Sequence, residues 1–158
     1  KAAEKLKEQN DVIQARVMDE VFNKMESGNA AIAAYYAGDC LTMIDNNPDL
    51  AFVYPEEGTN IFVDSLCIPE NAQNYEAALM YINFMLEPEV ALANAEYICY
   101  ASPNTAVVSN PDYTFYQNEV LYPKAGTEPT TQYFHDIPQE IRSYYEKLWE
   151  EVLLDSNK

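Results

Sequence analysis

Between Met25 and Pro123, a stretch of 99 residues, the chain has no Lys, Arg or His. The same stretch carries 14 acids, and all nine Lys and Arg lie outside it. Nucleic-acid binding needs clustered Lys and Arg against phosphates, so nucleic acid is excluded as a partner. Anionic lipid is disfavoured for the same reason. Long apolar runs are also missing, and none approaches the roughly 18–20 residues of a helical membrane span. With four glycines, the chain holds no Gly-rich phosphate loop and no G-x-S-x-G elbow. Histidine occurs once, at His135, so a Ser/His/Asp or Cys/His site has a single candidate base. Cys40, Cys67 and Cys99 show no metal-ligand spacing, and an odd number cannot complete a disulfide framework. Each has apolar neighbours, so all three read as buried free thiols. No metal and no cofactor is expected.

What is present suits a folded protein. The chain is 48% hydrophobic and 13% aromatic, with 13 Tyr, which is enough apolar surface for a core. The formal net charge of −17 gives any charge-driven recognition a cationic target. A folded, soluble, strongly acidic domain is expected. The sequence opens on Lys1 with charged residues and no signal-peptide pattern, so the gene is expected to encode more.

Hydrophobic spacing predicts the elements. Residues 2–26 read as helical, with Val12, Val17, Val21 and Phe22 near helical spacing and Gly28 beyond as a stop. Ala30–Tyr36 reads as a buried strand, Leu50–Tyr54 as a second and Asn60–Ile68 as a third. Gly38-Asp39 breaks the first strand, a short helix is expected to follow through about Ile44, and Asn46-Asn47-Pro48-Asp49 reads as a turn. Ala72–Leu86 is an amphipathic helix with Ala78, Leu79, Ile82 and Met85 on one face. Pro88 opens another, to about Tyr97. Residues 109–134 read as loop. Pro138 precedes a last helix, Gln139 to about Leu154, with Ile141, Tyr145, Leu148 and Val152 on one face. Strands alternating with helices imply an α/β fold with a largely parallel sheet.

Aromatic and acidic residues recur together at strand ends. Tyr35-Tyr36-Ala37-Gly38-Asp39 ends the first strand, Phe62-Val63-Asp64-Ser65 lies within the third, and Tyr97-Ile98-Cys99-Tyr100 precedes a proline turn. In open α/β sheets, ligands bind beyond the carboxyl ends of strands. Within a strand, Phe62 and Asp64 face the same side. Aromatic rings beside a carboxylate suit an ammonium: rings hold methylenes and attract the cation, and the carboxylate supplies a charge-assisted hydrogen bond. Other readings stand beside this one. Tyr36 also fits a half-buried core position, and Asp39 a helix cap. Asp64 interrupts the apolar run Ile61–Ile68, and a buried carboxylate needs a partner. A distant Arg, a backbone N–H or a ligand cation would serve. An acidic module binding a basic protein, or a hydrolase fragment with paired carboxylates, is equally compatible with the residues alone.

Tyr35-Tyr36-Ala37-Gly38-Asp39, Tyr54-Pro55-Glu56-Glu57-Gly58 and Phe62-Val63-Asp64-Ser65-Leu66-Cys67-Ile68-Pro69 together resemble the polyamine-binding proteins of spermidine/putrescine ABC importers. Asn83-Phe84-Met85-Leu86-Glu87-Pro88-Glu89-Val90 and Tyr100-Ala101-Ser102-Pro103-Asn104 continue the resemblance in register, covering about half the chain. It implies a type II periplasmic-binding-protein fold, present in part: the second lobe plus the returning segment of the first. Residues 1–62 and 108–158 would belong to the second lobe, and 63–107 would cross back to the first. The resemblance also implies a non-enzymatic, extracytoplasmic receptor that captures putrescine or spermidine and hands it to ABC permease subunits. Tyr36 matches an aromatic, usually Trp, that packs on the polyamine chain. Asp39 matches an acid of the putrescine-binding branch, Phe62 a second aromatic wall, and Asp64 the acid that grips an ammonium. Tyr100 matches a cleft tyrosine from the other lobe. Phe134 stands near a position where the spermidine branch has Gln. With much of the first lobe absent, the isolated fragment is expected to self-associate or repack around 63–107.

Overall fold

The computed structural model describes residues 1–155, so the end of the expected segment 108–158 lies outside the described residues. The chain divides into two compact units, one of residues 1–21 with 134–158 and one of residues 22–133.

In the first unit, α1 (Ala2–Gln9) packs on α7 (Gln139–Asp155). The expected helix over residues 2–26 is in fact two: α1 ends at Gln9, and α2 (Glu20–Glu26) begins after ten intervening residues. Asn10 and Asp11 enter a turn, and Val12 is 85% exposed rather than part of an apolar face. The β-branched Val12, Ile13 and Val17 do not favour helix strongly. Arg16 folds back on the end of α1 instead. Its guanidinium donates to the Leu6 carbonyl at 3.2 Å and to Asn10 Oδ1 at 2.7 Å, and lies 5.3 Å from the centre of the Trp149 ring. A last-turn carbonyl without an intrahelical partner is thereby satisfied. Asn10 Nδ2 in turn donates to the Val152 carbonyl at 3.0 Å. The last helix runs as expected, but only part of its apolar face is covered. Val152 is buried and Leu148 half-buried, while Ile141 and Tyr145 remain exposed. An eight-residue helix is about 12 Å long and cannot span a 17-residue partner of about 25 Å.

In the second unit, α3 (Ala37–Asn46), α4 (Tyr75–Met85) and α5 (Pro88–Ile98) form near their expected positions, and α6 (Thr105–Val108) is a short helix that the sequence pattern did not predict. Pro88 opens α5 where its missing N–H costs nothing, and Cys99 closes it in the left-handed conformation, φ 59°. Asn104 caps α6 by accepting from the Ala106 N–H at 2.9 Å. Ala91, Ala95, Val107 and Tyr113 make the buried core, with Leu92, Phe115 and Tyr122 packed against it. The small alanines of α5 let Val107 and Tyr113 approach closely. Burying either larger side chain contributes about 1.5–3 kcal/mol. On α4 the expected face of Ala78, Leu79, Ile82 and Met85 is half-buried. The remaining surface of α4 is not polar, since Met80, Tyr81 and Phe84 lie exposed on it.

The three expected strands shrink to one. Ala30–Tyr36 is irregular, with Ile32 87% exposed, and Leu50–Tyr54 joins no ladder. Only Thr59–Ile61 of the third forms a strand, β1. It pairs in parallel with β2 (Thr131–Tyr133), in the register Thr59↔Thr131, Asn60↔Gln132 and Ile61↔Tyr133. A strand is completed by its neighbours, and among the described residues the other extended segments have none. The parallel pairing survives, and its entry is tight. At Gly58, φ is +106° and an added Cβ would stand 2.5 Å from the Thr130 carbonyl oxygen. That oxygen accepts from the Thr59 N–H at 2.9 Å.

Candidate functional site

The site grows from the first turn of α3. Tyr36 is the N-cap residue, with extended φ −75° and ψ 142°. Its carbonyl accepts the first helical bond, from the Cys40 N–H at 2.9 Å. Asp39 is therefore inside the helix and not its cap. A carboxylate in the first turn is favoured by the N–H groups and dipole of the helix.

Four of the five expected site residues come together. The Tyr36 and Phe62 rings meet edge to face with centres 5.7 Å apart, and Phe62 meets Tyr100 the same way at 6.3 Å. Tyr100 lies against Gly38, with Asp39 beside its phenol. Burial, then the Asp39 charge and carboxylate, hold the Tyr100 phenol well above the ordinary tyrosine range. Edge-to-face pairs contribute about 0.5–1.5 kcal/mol each beyond area burial, so the rings hold one another in place. Tyr36 and Phe62 each keep 41% of their surface open, which leaves ring faces for a ligand.

Asp64 is placed differently from expectation. β1 ends at Ile61, so pleating does not align Asp64 with Phe62. Asp64 is exposed, and it makes no hydrogen bond or ion pair among the described residues. The burial expected from its apolar neighbours does not occur. The expectation of buried thiols also needs correction at Cys67, which is exposed, while Cys40 and Cys99 are half-buried and all three are free. Burial, with Asp39 next, raises the Cys40 thiol.

Sequence reading passed over two residues. Tyr35 continues the ring series, 5.2 Å from Tyr36 and 5.8 Å from Phe22. Its signal was its place beside Tyr36. The other is Gly38, read as a strand breaker ahead of a short helix, whereas α3 begins at Ala37 and takes Gly38 into its first turn. Tyr54, in the second resembling motif, anchors the long loop by donating to the Val120 carbonyl at 2.5 Å. Among the described residues no group of three or more His, Cys, Asp or Glu is gathered as a metal set.

The model of the bacterial extracellular solute-binding protein family matches residues 1–117. A spermidine/putrescine-binding periplasmic protein of Salmonella typhimurium is 33% identical over 150 residues, 93% of this chain and 43% of that protein. A spermidine/putrescine ABC transporter substrate-binding protein from Streptococcus pneumoniae, solved at 1.5 Å, superposes with a TM-score of 0.79. It is 30% identical, over 98% of this chain and 48% of that one. A Listeria monocytogenes structure described as a spermidine/putrescine ABC transporter gives 0.83 at 33% identity, over 96% and 47%. The chain thus spans less than half the length of these relatives. With three quarters of its length inside the family model and its backbone superposing on solved members, the chain belongs to the bacterial extracellular solute-binding proteins and carries part of their α/β periplasmic-binding fold.

Proposed function

We propose that the chain is part of an extracytoplasmic receptor that captures putrescine or spermidine and presents it to ABC permease subunits, by binding and without catalysis. The observation that carries this is the gathering of Tyr36, Phe62 and Tyr100 around Asp39. Ring faces take up the methylenes and attract an ammonium at about 0.5–2 kcal/mol per contact. Asp39 accepts from one ammonium in a charge-assisted hydrogen bond, shorter and stronger than a neutral one. Asp64, without a protein partner among the described residues, takes another. An acidic module for a basic protein would have no need of rings packed around one of its acids.

The same reading assigns residues 1–62 and 108–158 to one lobe and 63–107 to the segment crossing to the other. The pairing of β1 with β2 supports joining the first and last of these, since each supplies one strand. Tyr100, from the crossing segment, meets Gly38 and Phe62 where a ligand-closing wall would.

Calorimetry of the full-length natural polypeptide with putrescine, spermidine and a basic peptide tests the proposal. Heat with a polyamine and none with the peptide is expected. No polyamine heat at millimolar ligand would overturn it.

A further inference from the structure

Gly38 is buried at the second position of α3. Its backbone does not need glycine: the positive-φ glycines are Gly28, Gly58 and Gly126. Alanine is the better helix former at such a position. The demand comes from Tyr100. A Cβ on residue 38 would stand 2.6 Å from Cε2 and 2.7 Å from Cγ of that ring, and closer still to Cδ2. These are not the atoms of a flexible chain end, because a ring moves as a rigid plate.

We propose that Gly38 is a positioning residue of the ligand site: without a side chain, it lets the Tyr100 ring pack on the first turn of α3 while also touching Phe62. The inference rests on the polyamine reading above and deepens it. Packed this way, the Tyr100 phenol is held beside the Asp39 carboxylate. A carboxylate accepts more than one donor, so Asp39 keeps acceptor capacity for an ammonium with the phenol next to it. Alanine at 38 must push the ring away by roughly 1 Å to regain ordinary contact distance. That shift carries the phenol away from Asp39 and opens the gap between Tyr100 and the α3 turn. Gly38 then acts through Tyr100 and never touches the ligand.

The test compares the full-length polypeptide with Gly38→Ala, Tyr100→Ala and the double variant. Putrescine affinity is read by calorimetry. Tyr100 ionisation is read by NMR on ring-labelled tyrosine, its resonance identified by loss in Tyr100→Phe. Gly38→Ala is expected to weaken putrescine roughly tenfold or more, and to add no further loss in the Tyr100→Ala background. The Tyr100 phenol is expected to titrate closer to its ordinary value in Gly38→Ala, a readout that simple loss of stability would not move. An equal loss in both backgrounds, or an unchanged titration, overturns the proposal. If the unsubstituted polypeptide binds no putrescine, the polyamine reading fails instead. The titration then decides the role of Gly38 alone: a lowered phenol supports it and an unchanged one overturns it.

Discussion

Asp39 and Asp64 show two ways of keeping a carboxylate in a region without a cation. Asp39 is steadied by a helix start, with the Tyr100 phenol beside it. Asp64 is left in water. If closure around a ligand buries Asp64 against an ammonium, Asp64→Asn in the full-length polypeptide weakens polyamine binding by about 2–5 kcal/mol. A solvent-exposed pair gives about 1 kcal/mol or less, and an unchanged affinity removes Asp64 from the site. Tyr100 makes a separate prediction in alkali. Its phenol is raised above the ordinary value of 10.0, so the folded state holds the proton after the unfolded state has released it. Its contribution to stability is therefore complete below pH 10.0 and is lost as pH rises beyond it. Tyr54 and Tyr113, also raised by burial, act in the same direction. Denaturation curves from pH 8 upward should show a smaller alkaline loss in Tyr100→Phe than in the unsubstituted chain; parallel curves would contradict the assignment.

Helices and strands fare differently in this chain because their hydrogen bonds are made differently. α3, α4, α5 and α7 satisfy their own backbones, so local spacing and Pro88 suffice to place them. The extended segments depend on partners elsewhere, and among the described residues only β1 and β2 find each other. Gly58 guards that meeting through both its left-handed backbone and the closeness of Thr130. Gly58→Ala should cost about 1–3 kcal/mol in chemical denaturation. Gly28 has φ +72° but nothing within 4 Å, so Gly28→Ala should cost less. Equal losses would mean that backbone conformation, and not contact with Thr130, sets the effect.

Across the whole molecule, charge and exposed apolar surface oppose each other. A net charge of −17 repels copies of the chain, while Met80, Tyr81, Phe84 and Leu86 offer apolar side chains to solvent around α4. Residues 1–158 on their own are expected to self-associate, and more strongly as salt screens the repulsion. Sedimentation across ionic strength checks this. A monomer at every salt concentration, with α4 amides well protected from hydrogen exchange, would contradict it. Under the proposed polyamine reading, the acids outside the site supply a field that draws in a polycation without touching it.

The sequence by itself determined α3, α4, α5, α7 and the pairing of aromatics with acids, because spacing and turn chemistry are local; the stretch 109–134, read as loop, holds the strand β2. The sequence also carried the family, through motifs whose order and register survive in Tyr36, Gly38, Asp39, Phe62 and Asp64. It misled on residues 10–19, where valines at helical spacing turned out to be a linker pinned by Arg16. Only the tertiary structure decided that Ala30–Tyr36 is no strand and that Asp64 is exposed, since strand formation and burial both depend on neighbours. It alone brought Tyr100 across some sixty residues onto Gly38 and Asp39. No local pattern encodes that contact, because it exists only where two distant segments pack and one of them has no side chain.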